Sequence, residues 1–133
     1  MIKAVIFDYD WVLVRYYFLP QPKLFKLAEQ LRAKGIKTAV LSNRINPLTW
    51  LARRGGQLKD FDPVFFYSDI GYSKPDPEAY NAVLEELRLT SDQCLFVDNR
   101  SHNITAARQL GIKTIEAQNT DQTVGDIRKT LGI

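Results

Sequence analysis

Residues Ile2 to Leu13 read I-K-A-V-I-F-D-Y-D-W-V-L, an apolar run that ends abruptly in Asp8 and Asp10. Its Val, Ile and Phe content predicts a strand covered on both faces, as in a parallel sheet. Similar segments follow along the chain, alternating with helical patterns. Gln21-Pro22 opens a first helix with Leu24, Leu27, Ala28 and Leu31 on one face, and Gly35 ends it. Ile36 to Leu41 is the second strand. Asn46-Pro47 opens a second helix with Leu48 and Leu51 inward, and Val64 to Tyr67 form the third strand, followed by a loop through Lys74. Asp76-Pro77 provides an N-cap and first turn for a third helix carrying Tyr80, Val83, Leu84 and Leu87. Cys94 to Val97, a helix to about Leu110 stopped by Gly111, the strand Lys113 to Glu116, and a helix from Thr123 to Leu131 complete the pattern.

Repeated βα units imply right-handed crossovers and helices on both sheet faces. The expected fold is α/β: a single three-layer α/β/α, Rossmann-like domain over residues 1–133, doubly wound around a five-stranded parallel sheet. A chain of 133 residues suits one such core. The 18 Lys and Arg against 15 Asp and Glu leave a formal charge of +3, spread along the chain. That supports nucleic acid and a phosphorylated substrate equally weakly. Cys94 is the only cysteine, which excludes an internal disulfide and favours a reducing compartment. Its apolar neighbours mark a buried structural thiol. No stretch approaches the roughly 18 apolar residues of a membrane span, and the N-terminus has no signal-peptide pattern. The expected location is cytoplasmic, without membrane contact.

Polar residues gather directly after the strands: Asp8 and Asp10, then Ser42 and Asn43, then Lys74, then Asp98 and Asn99. In a parallel sheet these positions open on one edge, where open α/β sheets place their binding crevice. Neighbouring carboxylates invite a divalent cation, and a hydroxyl with an ammonium suits an anion. Phosphate with Mg²⁺ accounts for both.

In that order the motifs resemble those of the haloacid dehalogenase superfamily of phosphohydrolases, over nearly the whole chain. Phe7-Asp8-Tyr9-Asp10-Trp11-Val12-Leu13 is similar to its first motif and Val40-Leu41-Ser42-Asn43 to its second. Ser73-Lys74-Pro75-Asp76-Pro77 resembles its third. Phe96-Val97-Asp98-Asn99, continued through Asn103-Ile104 and Ala106-Ala107 to Gly111, resembles its fourth. The resemblance implies a phosphatase with Asp8 as nucleophile, forming an aspartyl-phosphate, and Asp10 as general acid and base. Ser42, Asn43 and Lys74 bind the phosphate. Mg²⁺ is held by Asp8, the Asp10 carbonyl and an acid after the fourth strand. Asp10 argues for phosphate over halide, because the dehalogenating members lack that second acid.

Three departures stand out. Many relatives carry two acids where this chain has Asp98-Asn99. In one register Asn99 replaces the direct metal ligand; in another Asp98 is that ligand and Asn103 fills a later acidic position. Trp11 stands where relatives usually have glycine, to stack on a substrate or to wedge the turn. The helical cap domain of many relatives is absent, with only Val14 to Gln21 in its place. An open crevice calls for a large substrate or a lid from another subunit, and the Tyr16 to Leu19 region is either a homodimer surface or a flap on its own domain. Arg15 and Arg44 are candidates to meet an anionic substrate but read more simply as solvated surface charges, and His102 reads as a surface residue. Two alternatives accompany the phosphatase: a weak or inactive relative that binds a phosphorylated ligand or protein partner, and a phosphatase acting on a phosphoprotein or a nucleic-acid end.

Overall fold

The computed structural model describes residues 1–16, 18–45 and 48–133. Its seven strands are β1 (Ala4–Phe7), β2 (Val14–Arg15), β3 (Leu19–Pro20), β4 (Lys37–Ser42), β5 (Val64–Phe66), β6 (Cys94–Asp98) and β7 (Lys113–Glu116). The helices are α1 (Pro22–Ala33), α2 (Leu48–Arg53), α3 (Tyr67–Ile70), α4 (Pro77–Leu87), α5 (Ser101–Gln109) and α6 (Thr120–Leu131). Five strands form one parallel sheet in the order β5-β4-β1-β6-β7, with β1 paired to both β4 and β6. The chain winds outward from β1 in one direction through β4 and β5, then in the other through β6 and β7. The point of reversal lies between β1 and β6, and strand ends there flank a crevice.

Side-chain alternation along β1 explains the three layers. Val5 and Phe7 join an apolar cluster with Leu24, Leu27 and Leu31 of α1 and Ile127 of α6. Ala4 and Ile6 point the other way, into a cluster with Tyr80, Val83 and Leu87 of α4 and Ile104 and Ala107 of α5. All four β1 residues are buried, so the strand must be apolar on both faces. Burying each large side chain stabilises the fold by about 1.5–3 kcal/mol.

The expected fold class is the observed one, with local corrections. The third strand stops at Phe66. Tyr67 instead starts the short α3, whose Asp69 carboxylate accepts from the Phe66 N–H at 2.8 Å. The last helix begins at Thr120 rather than Thr123, because the Asn119 side chain accepts from the Gln122 N–H and caps it. Leu51 is half-exposed, not inward, since the one-and-a-half-turn α2 presents Thr49 and Ala52 to the protein. The Asn46-Pro47 helix start and Tyr17 lie outside the described residues. Between β1 and α1 the chain forms a two-stranded antiparallel flap, β2 with β3, and Tyr16, Phe18 and Leu19 on it are exposed. Among the described residues no helix is long and apolar enough to cross a membrane.

Candidate active site

Asp8 directly follows β1, and its N–H donates to the Val97 carbonyl, which ties the strand end to β6. Asp98 ends β6 itself. Their carboxylates meet at Lys74, whose Nζ lies 3.0 Å from Asp8 Oδ1 and 2.8 Å from Asp98 Oδ2. The same ammonium donates to the Leu41 carbonyl at 2.8 Å, so all three of its protons have acceptors. All three residues are buried. A buried charge is tolerated only with such pairing.

The electrostatics follow from that geometry. Burial pushes the Asp8 carboxyl up to about 7; Lys74 opposes the shift and the Asp98 charge adds to it. Burial works against the Lys74 ammonium, but Asp8 and Asp98 together outweigh it and hold Lys74 above its ordinary value. Lys74 is therefore the fixed cation of the trio, and Asp8 is the member whose charge responds to its surroundings.

Asp98 is saturated by the protein. Oδ1 accepts from the Arg100 N–H at 2.9 Å, and Oδ2 accepts from Asn103 Nδ2 at 3.1 Å in addition to Lys74. Asn99 occupies the more open position. With its amide nitrogen turned toward the carboxylates, it donates to Asp8 Oδ2 at 3.2 Å and to Asp98 Oδ1 at 3.3 Å. Of the two sequence registers, this geometry puts Asn99 beside the oxygen of Asp8 that Lys74 does not use.

Ser42 is buried at the end of β4, where its Oγ accepts from the Arg44 N–H at 3.0 Å. Asn43, expected on the substrate, lines the crevice and also ties its amide to the Lys74 backbone. Its Nδ2 donates to the Lys74 carbonyl at 2.9 Å and its Oδ1 accepts from the Lys74 N–H at 2.8 Å. Such a two-point clamp fixes the backbone that aims the ammonium.

Arg44 is not the solvated surface charge that was the simpler expectation. It is buried, lies over the Tyr9 ring at 4.7 Å, and grips Asp10 with both nitrogens of its fork. Nη2 is 2.6 Å from Oδ1 and Nε is 3.1 Å from Oδ2. The one available signal was position: Arg44 follows Ser42-Asn43 on the edge that carries Asp10, and a crowded acid needs a cation.

A crevice of about 400 Å³ opens above these groups. Asp8, Asp10, Ser42 and Lys74 line it, together with Arg100 and the exposed His102. Arg15 does not line it. Burial, reinforced by Asp92, raises the Cys94 thiol to about 11, so it is a structural group away from the chemistry.

The donors suit a hard cation. They are oxygens throughout: Asp8, the Asp10 carbonyl, the amide oxygen of Asn103 and, with its amide turned back from the carboxylates, that of Asn99. Asn103 Oδ1 is buried with no hydrogen-bond partner. Among the described residues no three His, Cys, Asp or Glu side chains gather into a dedicated cage. One or two carboxylates completed by substrate phosphate is the usual pattern for Mg²⁺.

An open parallel sheet with two strand-end carboxylates bridged by a buried lysine defines an α/β protein with its candidate site at the switch point. The family model of the haloacid dehalogenase-like hydrolases matches residues 4–111, and the chain belongs to that family of hydrolases. A phosphatase of Mycobacterium tuberculosis is 35% identical over 99 residues, covering 71% of this chain and 45% of that protein. Mouse acyl-CoA dehydrogenase family member 10 is 32% identical over 111 residues, 84% of this chain but 10% of that protein. This chain thus spans less than half the length of either relative. An uncharacterized protein from Corynebacterium glutamicum shares the fold across 100% of this chain and 97% of its own, with TM-score 0.89 and 24% identity. A haloacid dehalogenase family enzyme of Bacteroides thetaiotaomicron, in complex with magnesium and inorganic phosphate, has TM-score 0.76 at 16% identity. That match covers 89% of this chain and 95% of the other.

Proposed function

We propose that this chain is a Mg²⁺-dependent phosphatase acting through an aspartyl-phosphate on Asp8. The observation that carries the reading is Lys74 held between Asp8 and Asp98 on the floor of a crevice that Ser42 shares. A phosphoryl group that accepts from the Ser42 hydroxyl and lies in the field of the Lys74 ammonium presents its phosphorus to Asp8 Oδ2, the oxygen that Lys74 leaves open. Attack forms the Asp8–phosphorus bond and breaks the ester bond, and Asp10 protonates the departing oxygen. Asp10 then takes a proton from the water that cleaves the aspartyl-phosphate, which frees phosphate and restores Asp8. Arg44 must release one Asp10 oxygen before that carboxyl can carry a proton, so Arg44 governs when Asp10 acts. Asp8, the Asp10 carbonyl and Asn99 would hold Mg²⁺, with Asp98 behind them. The metal supplies positive charge that screens Asp8 from the phosphate and favours its ionised form.

The named phosphatase relative and the magnesium and phosphate complex support this reading. A second reading, binding of a phosphorylated ligand without turnover, draws on Asn99, which leaves the cation site one charge short. Phosphate release from an aryl phosphate, with and without Mg²⁺ and beside Asp8→Asn, separates the two. Mg²⁺-dependent release that falls about 10³-fold or more in the variant is the expected result. Unchanged release in Asp8→Asn would overturn the mechanism.

A further inference from the structure

Trp11 follows the acid Asp10 in the tight turn after β1. Its N–H donates to the Val14 carbonyl at 2.6 Å, and its backbone sits in the left-handed region at φ +68°. Only three non-glycine residues in the described structure have positive φ, and a second is Tyr16 at φ +50°. The two rings face each other edge to face, with centroids 5.1 Å apart and planes at 70°. A left-handed backbone costs an L-residue about 1–2 kcal/mol. Core packing does not offset it here. Trp11 is 37% exposed, Tyr16 is 62% exposed, and neither belongs to the two apolar clusters. Where a strained, half-exposed aromatic persists at a site wall, a ligand contact is the natural function to test.

Trp11 lines the same crevice as Asp8 and Ser42, and among the described residues Ile45 is the only other apolar one on its wall. Whatever is esterified to a phosphate seated at Asp8 leaves the crevice alongside this one apolar stretch. We propose that Trp11, braced by Tyr16, is a specificity residue that stacks on a planar aromatic leaving group, so that the substrate class is phosphomonoesters of ring-bearing alcohols. This rests on the phosphatase reading for turnover, but the binding it predicts does not. Base or ring stacking on an aromatic side chain strengthens binding by roughly five- to a hundred-and-fiftyfold.

The test compares binding of 2-naphthylmethylphosphonate and methylphosphonate by calorimetry in Mg²⁺ buffer. It uses the wild-type chain, Trp11→Gly and Trp11→Phe, with melting temperatures of each. Glycine suits the observed φ, so Trp11→Gly is expected to melt at or above the wild-type temperature. The wild type should favour the naphthyl ligand at least tenfold, Trp11→Gly should reduce that ratio to within about twofold of unity, and Trp11→Phe should keep part of it. An unchanged ratio in Trp11→Gly, equal weakening of both ligands, or a melting temperature several degrees lower would each overturn the proposal. In parallel, naphthylmethyl and ethyl phosphates are assayed for Mg²⁺-dependent phosphate release. Ring-selective binding without any release would remove the phosphatase reading and leave the stacking role standing. Release without ring selectivity would do the reverse.

Discussion

On the floor of the crevice Lys74, Asp8 and Asp98 are ionisable and buried, whereas Trp11 on its wall, and Tyr16 and Phe18 on the chain that follows, are aromatic and exposed. Each region inverts the ordinary distribution of residue types. The floor tolerates its inversion because every charge has partners: Lys74 has three acceptors, and Asp98 accepts from Lys74, Asn103 and Arg100. Among the described residues this aromatic group joins neither apolar cluster, and Trp11 and Tyr16 pack on each other. A satisfied network points to chemistry that must be held rigid. An exposed aromatic group outside both clusters points to surface reserved for something that binds there.

The sharpest way to break this contrast is at Lys74. Lys74→Met would leave two carboxylates buried without their cation, with an expected stability loss of about 3–5 kcal/mol in denaturant titrations at neutral pH. Loss below 1 kcal/mol would show that the floor is wetter than its burial suggests.

Next comes pH. Folding raises the Asp8 carboxyl from 3.8 to about 7, so the native chain holds that proton more tightly than the unfolded chain. The stability this group contributes is fully present below pH 3.8 and is lost as pH rises to about 7. Without metal, Asp8→Asn should therefore gain stability relative to wild type across that window, by a few kcal/mol in order of magnitude. A pH-independent difference between the two would contradict the buried, proton-binding state of Asp8.

A smaller effect is expected at Asn99. Asn99→Asp restores a carboxylate beside Asp8 Oδ2 and should tighten Mg²⁺ about tenfold in a calorimetric titration, roughly 1.4 kcal/mol. Unchanged affinity would move the cation to Asp98. The smallest effect belongs to the exposed aromatic group. Phe18 is 78% exposed, and Phe18→Ser should change stability by less than about 0.5 kcal/mol in thermal melts. A larger loss would mean that the flap is part of the core.

How much of this could be read from residues alone varies with the kind of contact. Asp8, Ser42, Lys74 and Asp98 were legible because each lies at or after a strand end, and parallel topology brings strand ends to one edge. Asn99 and Asp98 were ambiguous because adjacent residues differ in direction, and direction depends on which partners capture each side chain. The Asn43 clamp was not legible for the same reason, since nothing in Ser42-Asn43 reveals that its amide meets the Lys74 backbone 31 residues away. The start of α6 was written in the sequence as Asn119 and Gln122, a capping pair that apolar spacing alone overlooks. Leu51 matched a helical period, but α2 is too short and too peripheral for that period to set burial.

The order of apolar runs and turn residues determined the parallel α/β sheet, because covering both sheet faces leaves few topologies for that pattern. It also placed the candidate site residues on a shared edge. Tertiary structure alone decided how those residues pair: Lys74 with two acids, Arg44 with Asp10, and Trp11 with Tyr16. Pairing depends on distances of a few ångströms between residues up to 66 positions apart. Local pattern carries no information at that range, whereas the packed sheet sets it directly.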